Sequence, residues 1–155
     1  MQTTSYTFYF VSYRYALDCR ISPHKMLEPK VVARLAQGLK LTKIDTVLEI
    51  GTGSGYATAL LAKLAGKVVS DDLDAEQQNH AKAVLDSLAL NNIDYVQNNE
   101  LTEPSAGAPF DAVYVGGAVD RVPEVLKEQL KDGGCMAVIV GRHYEIGRAS
   151  CRERV

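Results

Sequence analysis

The sequence predicts an α/β fold, a mostly parallel central sheet with helices packed on it, and three observations predict it. Short apolar runs alternate with amphipathic, helix-like stretches between residues 27 and 140, the pattern of successive βαβ units. One run, Thr46-Val47-Leu48-Glu49-Ile50, passes without a break into Gly51-Thr52-Gly53-Ser54-Gly55 and then into helix-like Tyr56 to Leu64. The following run, Lys67-Val68-Val69-Ser70, ends in the acids Asp71 and Asp72, about the 20 residues downstream at which a sugar-gripping carboxylate is expected.

The elements follow in order. Leu27 to Leu39 carries Val31, Val32, Leu35 and Leu39 on one helical face, with Pro29 suited to a first turn. Thr46 to Ile50 reads as a buried strand, Tyr56 to Leu64 as a helix against the sheet, and Val68 to Ser70 as a second strand. Asp74 to Leu90 is the clearest helix. Asp74 is placed to cap it, and Ala81, Val84, Leu85 and Leu88 mark its expected inward face. Ile93 to Gln97 and Phe110 to Val115 are the third and fourth strands. Val122 to Leu130 is a helix, with Asp120 as its expected cap and Pro123 in its first turn. Asp132-Gly133-Gly134 turns into a fifth strand, Cys135 to Val140. Right-handed crossovers then put ligand sites at the carboxyl ends of the strands, where the glycine turn lies.

That turn suits a nucleotide-like ligand. Glycines remove side chains where a ligand must approach, and a helix N-terminus presents unpaired N–H groups to it. A tight turn with no ligand is the bland alternative. The spacing is G-x-G-x-G, one residue shorter than the dinucleotide fingerprint G-x-G-x-x-G, so a nicotinamide-dependent oxidoreductase is the less favoured enzyme class.

Composition sets wide bounds. The 155 residues suffice for one domain with a sizeable core. Seventeen basic against nineteen acidic residues give no basic field for nucleic acid and no membrane-binding face. No apolar run approaches the roughly 18 residues of a membrane span, and no secretory signal is evident, so a cytoplasmic location is expected. Cys19, Cys135 and Cys151 are few and dispersed; they make neither a disulfide framework nor a metal-ligand spacing, and no metal is expected.

The two ends differ from the middle. Residues 1–24 hold six of the eleven aromatics (eight Tyr, three Phe), and Ser5 to Tyr15 has the composition of an aromatic-rich strand; the segment is expected to be an atypical extension. Residues 145–155 resemble the translation of a sequencing adapter and are expected to be a non-native tail. The domain is expected over residues 25–144, as a monomer with no nucleic-acid or membrane partner.

A narrower resemblance rests on four segments. Pro29-Lys30-Val31-Val32-Ala33-Arg34-Leu35, Val47 to Tyr56, Pro109-Phe110-Asp111-Ala112-Val113-Tyr114-Val115 and Leu130-Lys131-Asp132-Gly133-Gly134 together resemble the bacterial protein-L-isoaspartate O-methyltransferases, a branch of the class I S-adenosylmethionine-dependent methyltransferases. The resemblance implies a Rossmann-like three-layer sandwich, here incomplete after the fifth strand, with an exposed sheet edge. It implies S-adenosyl-L-methionine as cofactor, isoaspartate-containing damaged proteins or peptides as partners, and carboxyl methylation as the activity. Position by position it implies Glu49, Gly51, Gly53, Gly55, Asp72 and Asn99 as cofactor-binding residues, with Asp71 a neighbour of the ribose acid.

This chain departs from the family twice. Where the family has Gly-Asp-Gly after the third strand, it has Asn98-Asn99-Glu100. The Ser or Thr that the family places two residues before its helix proline falls on Leu27, so no catalytic residue is assigned. Ser22 restores a Ser-Pro pair only through a five-residue slip, and His24 reads as a surface histidine. A carboxylate acceptor is already ionised at pH 7 and needs no base, so Leu27 predicts altered rather than abolished transfer. The second expectation is a catalytically impaired, cofactor-binding remnant.

Overall fold

The computed structural model describes residues 7–10, 26–98 and 101–140. Within them lie six strands and four helices: β1 (Thr7–Phe10), α1 (Pro29–Gly38), β2 (Thr46–Ile50), α2 (Tyr56–Leu64), β3 (Lys67–Asp71), α3 (Ala75–Ser87), β4 (Ile93–Val96), β5 (Phe110–Val119), α4 (Glu124–Glu128) and β6 (Leu130–Val140). The strands form one sheet in the order β1-β6-β5-β2-β3-β4. Every pairing among the described residues is parallel.

Alternation along the strands builds two cores. On one face Val47, Val68, Ala112, Ala137 and Ile139 pack with Val31, Val32 and Leu35 of α1 and Leu61 of α2. On the other, Leu48, Val69, Val113, Met136 and Val138 pack with Leu126 of α4. Successive strand side chains point to opposite faces, so near-continuous apolar runs such as Val47-Leu48 serve both layers, as a parallel sheet covered on both sides requires. The three-layer arrangement follows.

Several boundaries move. α1 begins at Pro29, which occupies the first helical turn where its missing N–H costs nothing. Asp74 caps α3, accepting from the Glu76 and Gln77 amides at 3.1 Å each. The inward face of α3 is Gln78, Ala81 and Leu85, whereas Val84 and Leu88 are exposed. Asp120 does not cap α4: that helix starts at Glu124, with Pro123 at its N-cap. β6 begins at Leu130, and the Asp132-Gly133-Gly134 turn becomes an irregularity inside it. Phe110 pairs with Leu130 but Ala112 with Cys135, and Gly133 takes the left-handed φ of 77° that the kink requires.

The expected open edge after the fifth strand of the domain is corrected. β1, from the segment expected as an extension, runs parallel to β6 with Thr7 opposite Cys135 and Phe10 opposite Val138. A strand with unpaired N–H and C=O groups is a template for another strand, and here the same chain supplies it. The segment 145–155, Ser22 and His24 lie outside the described residues.

Candidate functional site

The carboxyl ends of β2, β3 and β5 open on a cavity of about 170 Å³. Asp72 follows β3, Gly51, Thr52, Gly53 and Ser54 follow β2, and Tyr114 and Gly116 belong to β5; all line it. Met26, Leu27 and Val32 cover it from the α1 side, with Tyr56 and Ala57 from α2 and Gln77 from α3.

The glycine turn is shaped by backbone geometry. Gly51 and Gly53 have φ of 90° and 52°, conformations that disfavour any side chain. A Cβ on either would meet no atom within 4 Å, so the turn leaves open space. Gly55 is different: its Cβ would lie 3.1 Å from Leu85 Cδ1 and 3.2 Å from Ala81 Cβ. Gly55 lets α2 begin close against α3, and it does not line the cavity. Gly116 has a similar constraint on the other side, where a Cβ would come within 2.9 Å of the Gly51 carbonyl oxygen. Close approach of β5 to the turn depends on it.

Asp72 joins two elements of the site. Its Oδ2 accepts from the Gly53 amide at 2.9 Å, and its Oδ1 from the Asp74 amide at 2.9 Å. A carboxylate offers about four acceptor sites, so capacity for two ligand hydroxyls remains. Asp71, its neighbour, is buried and points elsewhere; its Oδ1 accepts from the Asn98 amide at 2.8 Å and holds the segment after β4. Asn99 lies outside the described residues.

Glu49 lies beneath the turn and does not line the cavity. It is fully buried. Its Oε2 accepts from Ser70 Oγ at 2.6 Å and from Thr58 Oγ1 at 2.7 Å, while Oε1 has no partner. Burial pushes its pKa up from 4.5 to about 7, against the two hydroxyl donors and with help from the charge on Asp72. The network continues: Ser70 Oγ lies 2.7 Å from Thr52 Oγ1, and Gln78 Nε2 donates to Thr52 Oγ1, to the Ser70 carbonyl and to the Val96 carbonyl at 3.0–3.2 Å. Thr52 thus links the buried polar group to the cavity wall.

Sequence reasoning missed Thr52, Gln77, Gln78 and Tyr114. Gln78 carries no hydropathy signal of burial, and Tyr114, an aromatic residue inside an apolar strand, is core as well as cavity lining. Leu27, expected to replace a hydroxyl, does face the cavity. Among the described residues no group of three His, Cys, Asp or Glu is arranged to hold a metal ion, and no helix is long and apolar enough to cross a membrane.

An all-parallel sheet whose glycine turn and next-strand carboxylate meet at one cavity is the architecture of the class I methyltransferases. Solved structures agree. A protein-L-isoaspartate O-methyltransferase superposes with a TM-score of 0.67 at 28% identity, covering 79% of this chain and 40% of that one. An S-adenosylmethionine-dependent methyltransferase from Thiobacillus denitrificans, in complex with S-adenosyl-L-homocysteine, shares the fold with a TM-score of 0.58 at 23% identity, covering 70% of this chain and 48% of that one. The family model for protein-L-isoaspartate(D-aspartate) O-methyltransferase matches residues 8–151, and the chain belongs to that family. The protein-L-isoaspartate O-methyltransferase of Desulfotalea psychrophila is 41% identical over 118 residues, which are 76% of this chain and 55% of that protein. The chain therefore spans about half the length of the curated relatives it matches.

Proposed function

We propose that this chain binds S-adenosyl-L-methionine and directs its methyl group to isoaspartyl carboxylates of damaged proteins. The carrying observation is the cavity in which Gly51, Gly53 and Asp72 meet, in a chain of this family. The residues fit the cofactor. Open space over Gly51 and Gly53 admits its amino-acid portion against the backbone. The free lone pairs of Asp72 suit vicinal ribose hydroxyls. The first turn of α2, which has no side-chain cap, presents N–H groups to a carboxylate. Asn99 is proposed to border the base; Glu49 and Gly55 support the turn from below and behind.

Bound there, the cofactor supplies an electrophilic methyl group on a sulfonium. The chain's own task is alignment. Leu27 and Val32 give the cavity an apolar wall on the α1 side. An acceptor carboxylate is ionised at neutral pH and attacks without a base; held in line, it gains up to roughly 7–11 kcal/mol of barrier lowering from proximity alone. A cytoplasmic protein without nucleic-acid or membrane partners fits this reading, since damaged cellular proteins are its substrate. Its domain is proposed to occupy residues 25–144 together with β1, with residues 145–155 a non-native tail.

Incubating the folded chain with methyl-labelled cofactor and an isoaspartyl peptide should yield a base-labile methyl ester, with none on the matching aspartyl peptide. No ester above background, from protein shown to be folded, overturns the assignment. A second reading has one observation in its favour: Leu27 puts an apolar side chain at the cavity. Tight S-adenosylhomocysteine binding without turnover would select that reading, a cofactor-binding remnant.

A further inference from the structure

Glu49 is a buried acid with no cation beside it among the described residues. It is fully buried, its Oε2 takes the hydroxyl protons of Ser70 and Thr58, and its Oε1 has no partner. The ionisable groups that act on it or that it acts on are Asp72 after β3, Tyr114 on β5 and Tyr95 on β4. All three are acidic groups. Asp71, at the end of β3, turns to the Asn98 amide. From α2 comes Thr58 and from α3 Gln78, neither of them charged, and the buried side chains of α1 are Val31, Val32, Leu35 and Ala36. A carboxylate taken out of water is costly unless it is paired. Burial above all therefore pushes its pKa up to about 7.

The cavity is where a compensating charge can come from. Ser70 spends its one proton on Glu49, so Thr52 is the donor in the 2.7 Å contact with Ser70 Oγ. Thr52 lines the cavity. Two short hydrogen bonds thus separate the sealed carboxyl from the cavity wall. Asp72, whose charge reaches Glu49, lines the same cavity, and among the described residues no lysine, arginine or histidine does. A positively charged ligand held there faces two carboxyl groups through surroundings that screen charge weakly. An uncharged ligand of the same shape gains nothing from an ionised Glu49.

We propose that Glu49 makes the cavity discriminate by charge: buried beneath the turn without a cation, its carboxylate favours the sulfonium of S-adenosylmethionine over the uncharged thioether of S-adenosylhomocysteine. This rests on the methyltransferase reading above. The two ligands differ by one methyl group and one positive charge. The sulfonium holds Glu49 in its ionised form. Once the S–CH3 bond has broken and the methyl group has joined the acceptor carboxylate as an ester, the sulfur is uncharged. Glu49 then takes a proton from solvent, and the product loses the attraction that held the cofactor.

Calorimetry on the full chain measures the affinities of S-adenosylmethionine and S-adenosylhomocysteine between pH 5 and pH 8. Each ligand's own amine titrates alike against wild type and variant, so comparing the two proteins isolates Glu49. The wild type's preference for the charged ligand should grow with pH by about fivefold or more beyond any change in Glu49→Gln. Ser70→Ala takes away a donor that favours the ionised carboxyl and should move the rise to higher pH; it decides the question if a thermal melt shows Glu49→Gln unfolded. A wild-type preference that does not change with pH overturns the role of Glu49 and leaves the methyltransferase reading standing. An equal rise in Glu49→Gln, or a rise that Ser70→Ala leaves in place, does the same. Binding of neither ligand to folded protein overturns the methyltransferase reading itself, and the charge discrimination with it.

Discussion

At the scale of single residues, Glu49 couples the site to pH. Its pKa of about 7 in the fold exceeds the ordinary glutamate value, so the folded state binds this proton more tightly than the unfolded chain. The contribution to stability is then fully present below about pH 4.5 and is lost as pH rises toward 7. Roughly 2.5 pKa units correspond to about 3 kcal/mol, an upper bound for one buried group. Glu49→Gln keeps an acceptor for Ser70 and Thr58 and removes the titration. Denaturant unfolding at pH 5 and pH 8 should show the wild type losing up to about 2.5 kcal/mol more stability than the variant across that interval, the rest having gone below pH 5. Equal pH slopes would mean that the carboxyl does not titrate there. The family resemblance singled out Glu49, Gly51, Gly53, Gly55 and Asp72 but not their separate surroundings. Only packing shows that Gly51 and Gly53 face open space while Gly55 faces Leu85, or that Asp72 faces the turn while Asp71 faces Asn98.

Among the elements, α3 teaches most. Its start was legible because capping is local: Asp74 reaches amides two and three residues on. Asp74→Ala should cost about 1 kcal/mol and lower the melting temperature by roughly 2–4 °C for a chain of this size, measured by thermal melt. An unchanged melt would mean that the first turn of α3 is held by other contacts, such as Asp72 with the Asp74 amide. The inward face of α3 was not legible in full, because burial there is decided by what the neighbours offer. Gln78 is buried since backbone carbonyls of Ser70 and Val96 receive its amide, and hydropathy carries no sign of that. The helix after β5 was expected earlier for the same reason. An acid before a proline looks like a cap, yet Pro123 itself takes the N-cap position.

For the whole molecule, alternation of strands and helices was enough to read a parallel sheet with a cavity at the strand ends, since both are consequences of handed crossovers. The partner of β6 was not readable: a strand-like composition in residues 5–15 says nothing about which edge it joins. A chain beginning at Met26 should therefore lose stability and associate at rising concentration, detected by light scattering alongside denaturant unfolding. A shortened chain as stable and as monodisperse as the parent would show that β1 is dispensable. The same pairing bears on the order of assembly. Thr7 meets Cys135, so β1 leaves a ribosome long before the strand that seats it. Bridging so long a separation is entropically slow, and until β6 is made β1 stays an unmated ribbon, an interval in which a chaperone would find its most natural grip.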